Sequence, residues 1–101
     1  MSSTKRVRGW CFTLNNYTDE DWNKMGTIEC KYLIAGKEVA ESGTPHIQGF
    51  IYFENARTLN GVKKLISDRV HLEEMRGTVE QNQKYCSKEG EYIERGEAPR
   101  S

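Results

Sequence analysis

The segment His46-Ile-Gln-Gly-Phe-Ile-Tyr-Phe53 constrains the fold more than any other stretch of this 101-residue chain. Alternate side chains of an extended strand face opposite ways. Ile47, Ile51 and Phe53 therefore fall on one face, and Phe50 and Tyr52 on the other. A strand that is apolar on both faces has to be central and covered twice. The chain must build a sheet around it and lay helices on that sheet.

The flanking elements can be read in order. Arg8-Gly-Trp-Cys-Phe-Thr-Leu14 is rich in aromatic and β-branched residues and reads as a strand, closed by Asn15-Asn16. Thr18 caps a short helix, with Asp21 three residues on, Tyr17 placed to staple onto Trp22, and Gly26 at its end. A second strand runs from Lys31 to about Val39. Glu41-Ser-Gly-Thr-Pro45 is a turn, in which Pro45 holds Thr44 extended. The third strand is His46 to Phe53. Thr58 opens a second helix whose Leu59, Val62, Leu65 and Ile66 follow a 3-4 spacing. Arg69 to Met75 reads as a fourth strand, with Val70, Leu72 and Glu74 alternating. Gly77-Thr78 opens a third helix through a capping box to Gln81; it runs to about Lys88 and stops at Gly90. Glu91-Tyr-Ile-Glu94 makes a last strand. The order β-α-β-β-α-β-α-β is an α+β fold, with a mostly antiparallel sheet of about five strands and helices packed on it. Residues 1–95 form the domain, and 96–101 read as a tail or linker.

Composition narrows the function. Lys plus Arg and Asp plus Glu are both 15, which excludes a polybasic protein that binds nucleic acid by bulk charge. Ten aromatic residues (three Phe, five Tyr, two Trp) exclude a disordered chain. No apolar run is long enough to cross a membrane, and no apolar stretch follows the first residues, so neither membrane partner nor secretory signal is expected. Cys11, Cys30 and Cys86 are odd in number and contain no C-x-x-C, as expected of reduced thiols in a cytosolic or nuclear protein. No phosphate-binding P-loop motif occurs. The neutral sum is uneven. Residues 1–16 carry Lys5, Arg6 and Arg8 with no acid, whereas residues 17–30 carry Asp19, Glu20, Asp21 and Glu29 against Lys24. Residues 58–88 carry six basic and four acidic side chains. A local field can serve nucleic acid although the total is zero.

Two constellations can carry chemistry. His46 and Gln48 are two apart on a strand and share a face, so an imidazole nitrogen and an amide oxygen can hold a divalent cation. Such a mixed set suits Mn²⁺ or Mg²⁺ better than structural zinc. Glu38, late on the preceding strand of a hairpin, is the leading anionic ligand, and Glu41 in the turn is the alternative. Tyr85 and Lys88 lie one turn apart on the third helix and share a face. A phenol with its ordinary pKa of about 10 is a weak nucleophile, which a metal-polarised phosphate and a nearby cation would offset. Each pair alone also suits an ordinary half-exposed surface. Together they are the parts for transesterification of a phosphodiester. His71 reads as structural or as a peripheral DNA contact, and Trp10 and Trp22 as core or rim aromatics.

Three segments in order, Phe12-Thr-Leu-Asn-Asn16, Thr44-Pro-His-Ile-Gln-Gly-Phe50 and Tyr85-Cys-Ser-Lys-Glu-Gly90, resemble the three motifs of rolling-circle replication initiators. Their form is similar to the HUH endonuclease domain of circovirus and cyclovirus Rep proteins, from viruses with circular single-stranded DNA. The similarity extends to Lys63-Lys64, Arg76-Gly-Thr78, Gln81-Asn82 and the terminal Gly96–Ser101.

The resemblance implies an RRM/ferredoxin-like HUH endonuclease fold and a specific activity. Family members nick single-stranded origin DNA at a stem-loop, with the motif-three tyrosine, here Tyr85, as nucleophile. The products are a 5′-phosphotyrosine link and a free 3′-OH, and the reverse reaction rejoins the strand. His46 and Gln48 would bind Mg²⁺ or Mn²⁺ with an acidic residue that maps to Glu38. The family's superfamily mostly has two histidines where this chain has His-Ile-Gln, so weaker metal binding is expected. Lys88 would orient the DNA or the scissile phosphate. The basic arm (Lys5, Arg6, Arg8) and Phe12, Thr13, Leu14, Asn15 and Asn16 would serve origin recognition. The resemblance also implies a viral protein of the host nucleus, a helicase domain following the nuclease, and any oligomer confined to the full-length protein. The competing readings are a non-catalytic RRM-like binder of single strands and a protein-interaction domain.

Overall fold

In the computed structural model, which describes residues 4–100, the sheet is built from β1 (Arg6–Asn15), β2 (Tyr32–Val39), β3 (Pro45–Thr58), β4 (His71–Glu74) and β5 (Tyr92–Gly96). The strand order is β4-β1-β3-β2-β5, and every pair is antiparallel. The helices are α1 (Asp19–Lys24), α2 (Leu59–Ile66) and α3 (Val79–Ser87). The α+β order expected from the sequence is the one formed. The first six elements make the split β-α-β-β-α-β arrangement of ferredoxin-like folds, with β3 between β1 and β2. The unit α3–β5 is added at the β2 edge.

β3 is central, and each of its faces meets its own core. Trp10, Phe12, Leu14, Leu33, Ile47, Ile51 and Phe53 form the larger core with Met25 after α1, Val62 and Ile66 of α2, and Leu72 of β4. On the opposite face Tyr32, Ile34 and Phe50 pack against Cys86 of α3. Phe12, Phe50 and Phe53 are at most 1% exposed, so truncating any of them to alanine costs about 3–5 kcal/mol. The two layers are unequal. α1 and α2 sit on a broad apolar core, whereas α3 has a small apolar contact and depends on polar ties.

Local signals account for the helix starts. Thr18 and Thr78 both close capping boxes, with Asp21 and Gln81 returning the bond, and Thr58 caps α2 through Gly61 N. Such caps contribute about 1 kcal/mol each. Asn16 ends β1 in the left-handed region at φ 53°, and its N–H donates to Pro45 O at 2.8 Å.

Several boundaries differ: β1 begins at Arg6 rather than Arg8, β4 is shorter, His71–Glu74 rather than Arg69–Met75, and β3 and β5 both run longer. β3 continues five residues past Phe53, to Thr58, because it still pairs with the start of β1: residues 53–56 bulge opposite Arg8, and the ladder resumes at Val7↔Arg57. The polar run Glu54-Asn55 gave no period to read. The last strand ends at Gly96 rather than Glu94, and Ala98 packs against the smaller core. The segment after residue 95 is thus partly docked on the domain.

Candidate active site

The first two motifs are neighbours across one ladder. β1 and β3 pair Phe12↔Gly49, Thr13↔Gln48, Leu14↔Ile47 and Asn15↔His46. The Phe12 ring lies flat where a side chain at position 49 would be; a Cβ there would fall 2.1 Å from its Cζ. Phe12 and Leu14 are 1% and 0% exposed, so their side chains are spent on packing, with Phe12 forming part of the groove wall. Expected among the DNA-contact residues, they instead lock the two strands in register. Because the side-chain period is two, their burial turns Thr13, Gln48 and His46 to the α3 face.

β2 supplies the carboxylate. Glu38 pairs opposite His46, and its Oε1 lies 3.1 Å from His46 Nε2. Glu41 lies in the exposed turn, so Glu38 is the acid that meets this strand. Glu38 is only 9% exposed, and a buried carboxylate must be paired. Its second oxygen accepts from Lys88 Nζ at 2.5 Å. The same ammonium stands 3.7 Å from the centroid of the Tyr85 ring and donates to Tyr85 O at 3.3 Å. One continuous chain of contacts therefore joins His46, Glu38, Lys88 and Tyr85. Gln48 accepts from Thr13 Oγ1 at 3.2 Å and donates to Phe12 O at 3.3 Å, which fixes its amide beside His46.

Among the described residues no group of three or more His, Cys, Asp or Glu is placed to hold a metal. The donor set available is one carboxylate, one imidazole and one amide. Glu38 Oε1 and His46 Nε2 are in direct contact at 3.1 Å, and by donor chemistry a carboxylate, an imidazole and an amide suit a hard divalent ion that would take the place of that contact.

Tyr85 is 52% exposed at the edge of a groove of about 490 Å³ between α3 and the β1–β4 side of the sheet. Thr13 and Gln48 line this groove along with His71, Arg76 and Gln81. Asn82 is 8% exposed; its Nδ2 donates to Arg76 O at 2.7 Å and Thr78 O at 2.9 Å, and its Oδ1 accepts from Cys11 Sγ at 3.2 Å. That side chain ties the start of α3 to the groove wall. Cys86, next to Tyr85, points into the smaller core, and burial pushes its thiol up to about 12. Burial likewise raises Cys11 and Cys30. A thiol that keeps its proton is a poor nucleophile, so none of the three cysteines is primed for attack.

The structure does not gather every expected contact residue here. Arg6 pairs with Thr58 and Asn15 with His46, so the basic arm starts the length of β1 away, roughly 30 Å at about 3.3 Å per residue. Lys5 pairs with Glu74 at 3.2 Å, and Arg8 lines a separate cleft with Lys31, Tyr52 and Arg100. Asn15 and Asn16 do border the site, with their carbonyls held by the Arg69 guanidinium at 3.0 and 3.4 Å. Sequence reasoning placed Arg69 only at a strand start and Asn82 only within the resemblance, and gave neither its anchoring role. No local pattern marks a residue that acts through tertiary hydrogen bonds.

The family described as "Putative viral replication protein" matches residues 7–89. The chain is 48% identical over 89 residues to a replication-associated protein of beak and feather disease virus, covering 85% of this chain and 30% of that protein. It is 43% identical over 96 residues to the replication-associated protein of porcine circovirus 1, covering 91% and 31%. It is 40% identical over 99 residues to that of human associated cyclovirus 1, covering 94% and 35%. The chain spans about a third of the length of these curated relatives.

Proposed function

The chain belongs to the viral replication protein family, and from that premise we propose that it is a rolling-circle initiator domain that nicks and rejoins single-stranded origin DNA through Tyr85. The observation that carries this reading is the junction at Lys88, whose ammonium is 2.5 Å from Glu38 Oε2 and 3.7 Å from the Tyr85 ring centroid. It brings the phenol of the third motif to the carboxylate and imidazole that fit a divalent ion.

In the proposed reaction the scissile phosphate lies in the groove beside Tyr85. The phenol gives its proton to water, and Oη attacks phosphorus. The new O–P bond forms as the P–O3′ bond breaks, and the leaving oxygen takes up a proton to become a free 3′-OH. The downstream strand stays on Tyr85 as a 5′-phosphotyrosine. Attack by a 3′-OH reverses the exchange and returns the phenol, so one phosphoester replaces another and no nucleotide is consumed. When held by Glu38, His46 and Gln48, Mg²⁺ or Mn²⁺ supplies Lewis-acid polarisation of the phosphate. Lys88 keeps a positive charge beside the ring where phosphate charge gathers, and Thr13 fixes the Gln48 amide. In this reading the partner is the single strand of a stem-loop origin, and the domain works in the host nucleus within a longer protein that adds a helicase domain.

The test is covalent capture. A 3′-labelled pool of randomised single-stranded oligonucleotides incubated with the protein and Mn²⁺ should yield a labelled protein band on a denaturing gel. Tyr85→Phe should yield none. An adduct formed by Tyr85→Phe would sink the mechanism.

A further inference from the structure

Gly36 faces α3 from the middle of β2. A Cβ built on it would fall 2.1 Å from the Cys86 carbonyl oxygen and 3.3 Å from the carbonyl carbon, both backbone atoms of α3. No flexible side chain can yield there. Gly36 does not adopt a positive φ, so space alone calls for glycine. The contact sits at the centre of the site: Cys86 follows Tyr85, Gly36 precedes Glu38 by two residues, and Gly36 pairs across β3 with Gln48.

We infer that Gly36 is a positioning residue that sets the height of α3 above the sheet, and so the separation of Tyr85 from Glu38 and His46. The inference rests on the nicking reading. α3 cannot escape the contact by sliding. Its first turn is held by Asn82 to Arg76 O and Cys11. Its middle is held by Gln83, which donates to the buried Tyr32 hydroxyl at 3.1 Å while that hydroxyl donates to Glu94 at 2.5 Å. Just beyond it, Lys37 N donates to Glu91 O at 2.9 Å. Bringing the clash from 2.1 Å to an ordinary 3.4 Å requires about 1.3 Å of movement at Cys86, one residue from the nucleophile. A misplacement of about 1 Å costs roughly 100-fold in rate.

The experiment compares wild type, Gly36→Ala and Gly26→Ala, whose Cβ would meet nothing closer than 3.4 Å. Single-turnover nicking with Mn²⁺ is measured across oligonucleotide concentration, and the structure of Gly36→Ala is determined. Expected for Gly36→Ala is a maximal rate about 100-fold lower, half-saturation within about threefold of wild type, and Cys86 displaced from β2 by about 1 Å. Gly26→Ala should match wild type. Tyr32→Phe, which keeps the core volume but releases Gln83, is the second variant and carries the test if Gly36→Ala does not fold. It should show the same split, about tenfold lower in rate. The inference is overturned if wild type nicks and the folded variants match it, if rate and half-saturation fall together, or if Cys86 stays in place. A wild type that does not nick overturns the functional reading itself, and the crystal structure still reports whether Gly36 sets the helix height.

Discussion

Replacing Lys88 by methionine tests how the domain tolerates a buried carboxylate on the α3 face of its sheet. Methionine keeps an apolar stem against the Tyr85 ring and removes the ammonium 2.5 Å from Glu38 Oε2. Stripping one partner from a fully buried ion pair costs about 3–5 kcal/mol. The Glu38 side chain is 8% exposed but that of Lys88 is 37% exposed, so water screens part of the attraction. His46 also remains 3.1 Å from the other oxygen. The expected loss is therefore nearer about 1–2 kcal/mol. For a domain of this size that lowers Tm by roughly 5–15 °C. Thermal unfolding in EDTA reads this directly. Adding Mn²⁺ should then stabilise Lys88→Met more than wild type, because in wild type the ion meets an ammonium already seated on Glu38. Adding Glu38→Gln to Lys88→Met should recover part of the loss, since no charge is left buried. If metal-free Lys88→Met melts within about 2 °C of wild type, the Lys88–Glu38 contact adds nothing measurable to the fold.

The other predictions concern the chemistry. Tyr85→Phe should abolish the covalent adduct while single-strand affinity stays within about threefold, measured by fluorescence anisotropy; a retained adduct contradicts it. His46→Ala should abolish Mn²⁺-dependent cleavage and leave binding largely intact, and cleavage undiminished in EDTA would remove the metal from the proposal. With its folded-state pKa pushed up to about 12, the Cys86 thiol keeps its proton at pH 8, so iodoacetamide should label it slowly in the folded protein and readily in urea. Rapid labelling of folded protein at Cys86, located by peptide mapping, would contradict that burial.

Much of the fold was legible because its signals are local. The two-faced apolar pattern of His46–Phe53 placed β3 at the centre, and the Thr18 and Thr78 capping boxes marked two helix starts to the residue. What stayed hidden is what the register decides. Phe12 and Leu14 belong to the same motif as Thr13, but whether each faces core or groove depends on how β1 pairs with β3. The burial of Phe12 over Gly49 settles that. The pairing of Glu38 with His46 was accessible from the sequence because a hairpin register is short-range. Lys88 reaching Glu38 across 50 residues was not, because it depends on where α3 lands. Gly36 had a signal, a glycine inside a strand pattern, which marks a close backbone approach without saying what approaches.

The zero net charge also becomes intelligible in the fold. The acids Asp19, Glu20 and Asp21 belong to α1, which covers the larger core on the side of the sheet away from α3. Asp21 is further occupied by Arg69 at 3.4 Å. On the α3 side, Glu38 is matched by Lys88 and Glu73 by Arg76 at 3.1 Å, so the groove beside Tyr85 is close to neutral rather than strongly basic. A surface of that kind releases few counterions when it meets a single strand, and bulk attraction adds little to affinity. On the proposed reading the strand must then be held by contacts around one phosphate, and discrimination comes from fit in the groove. A domain that cuts at one site gains by this arrangement, since tight non-specific binding along the strand would compete with the one productive position.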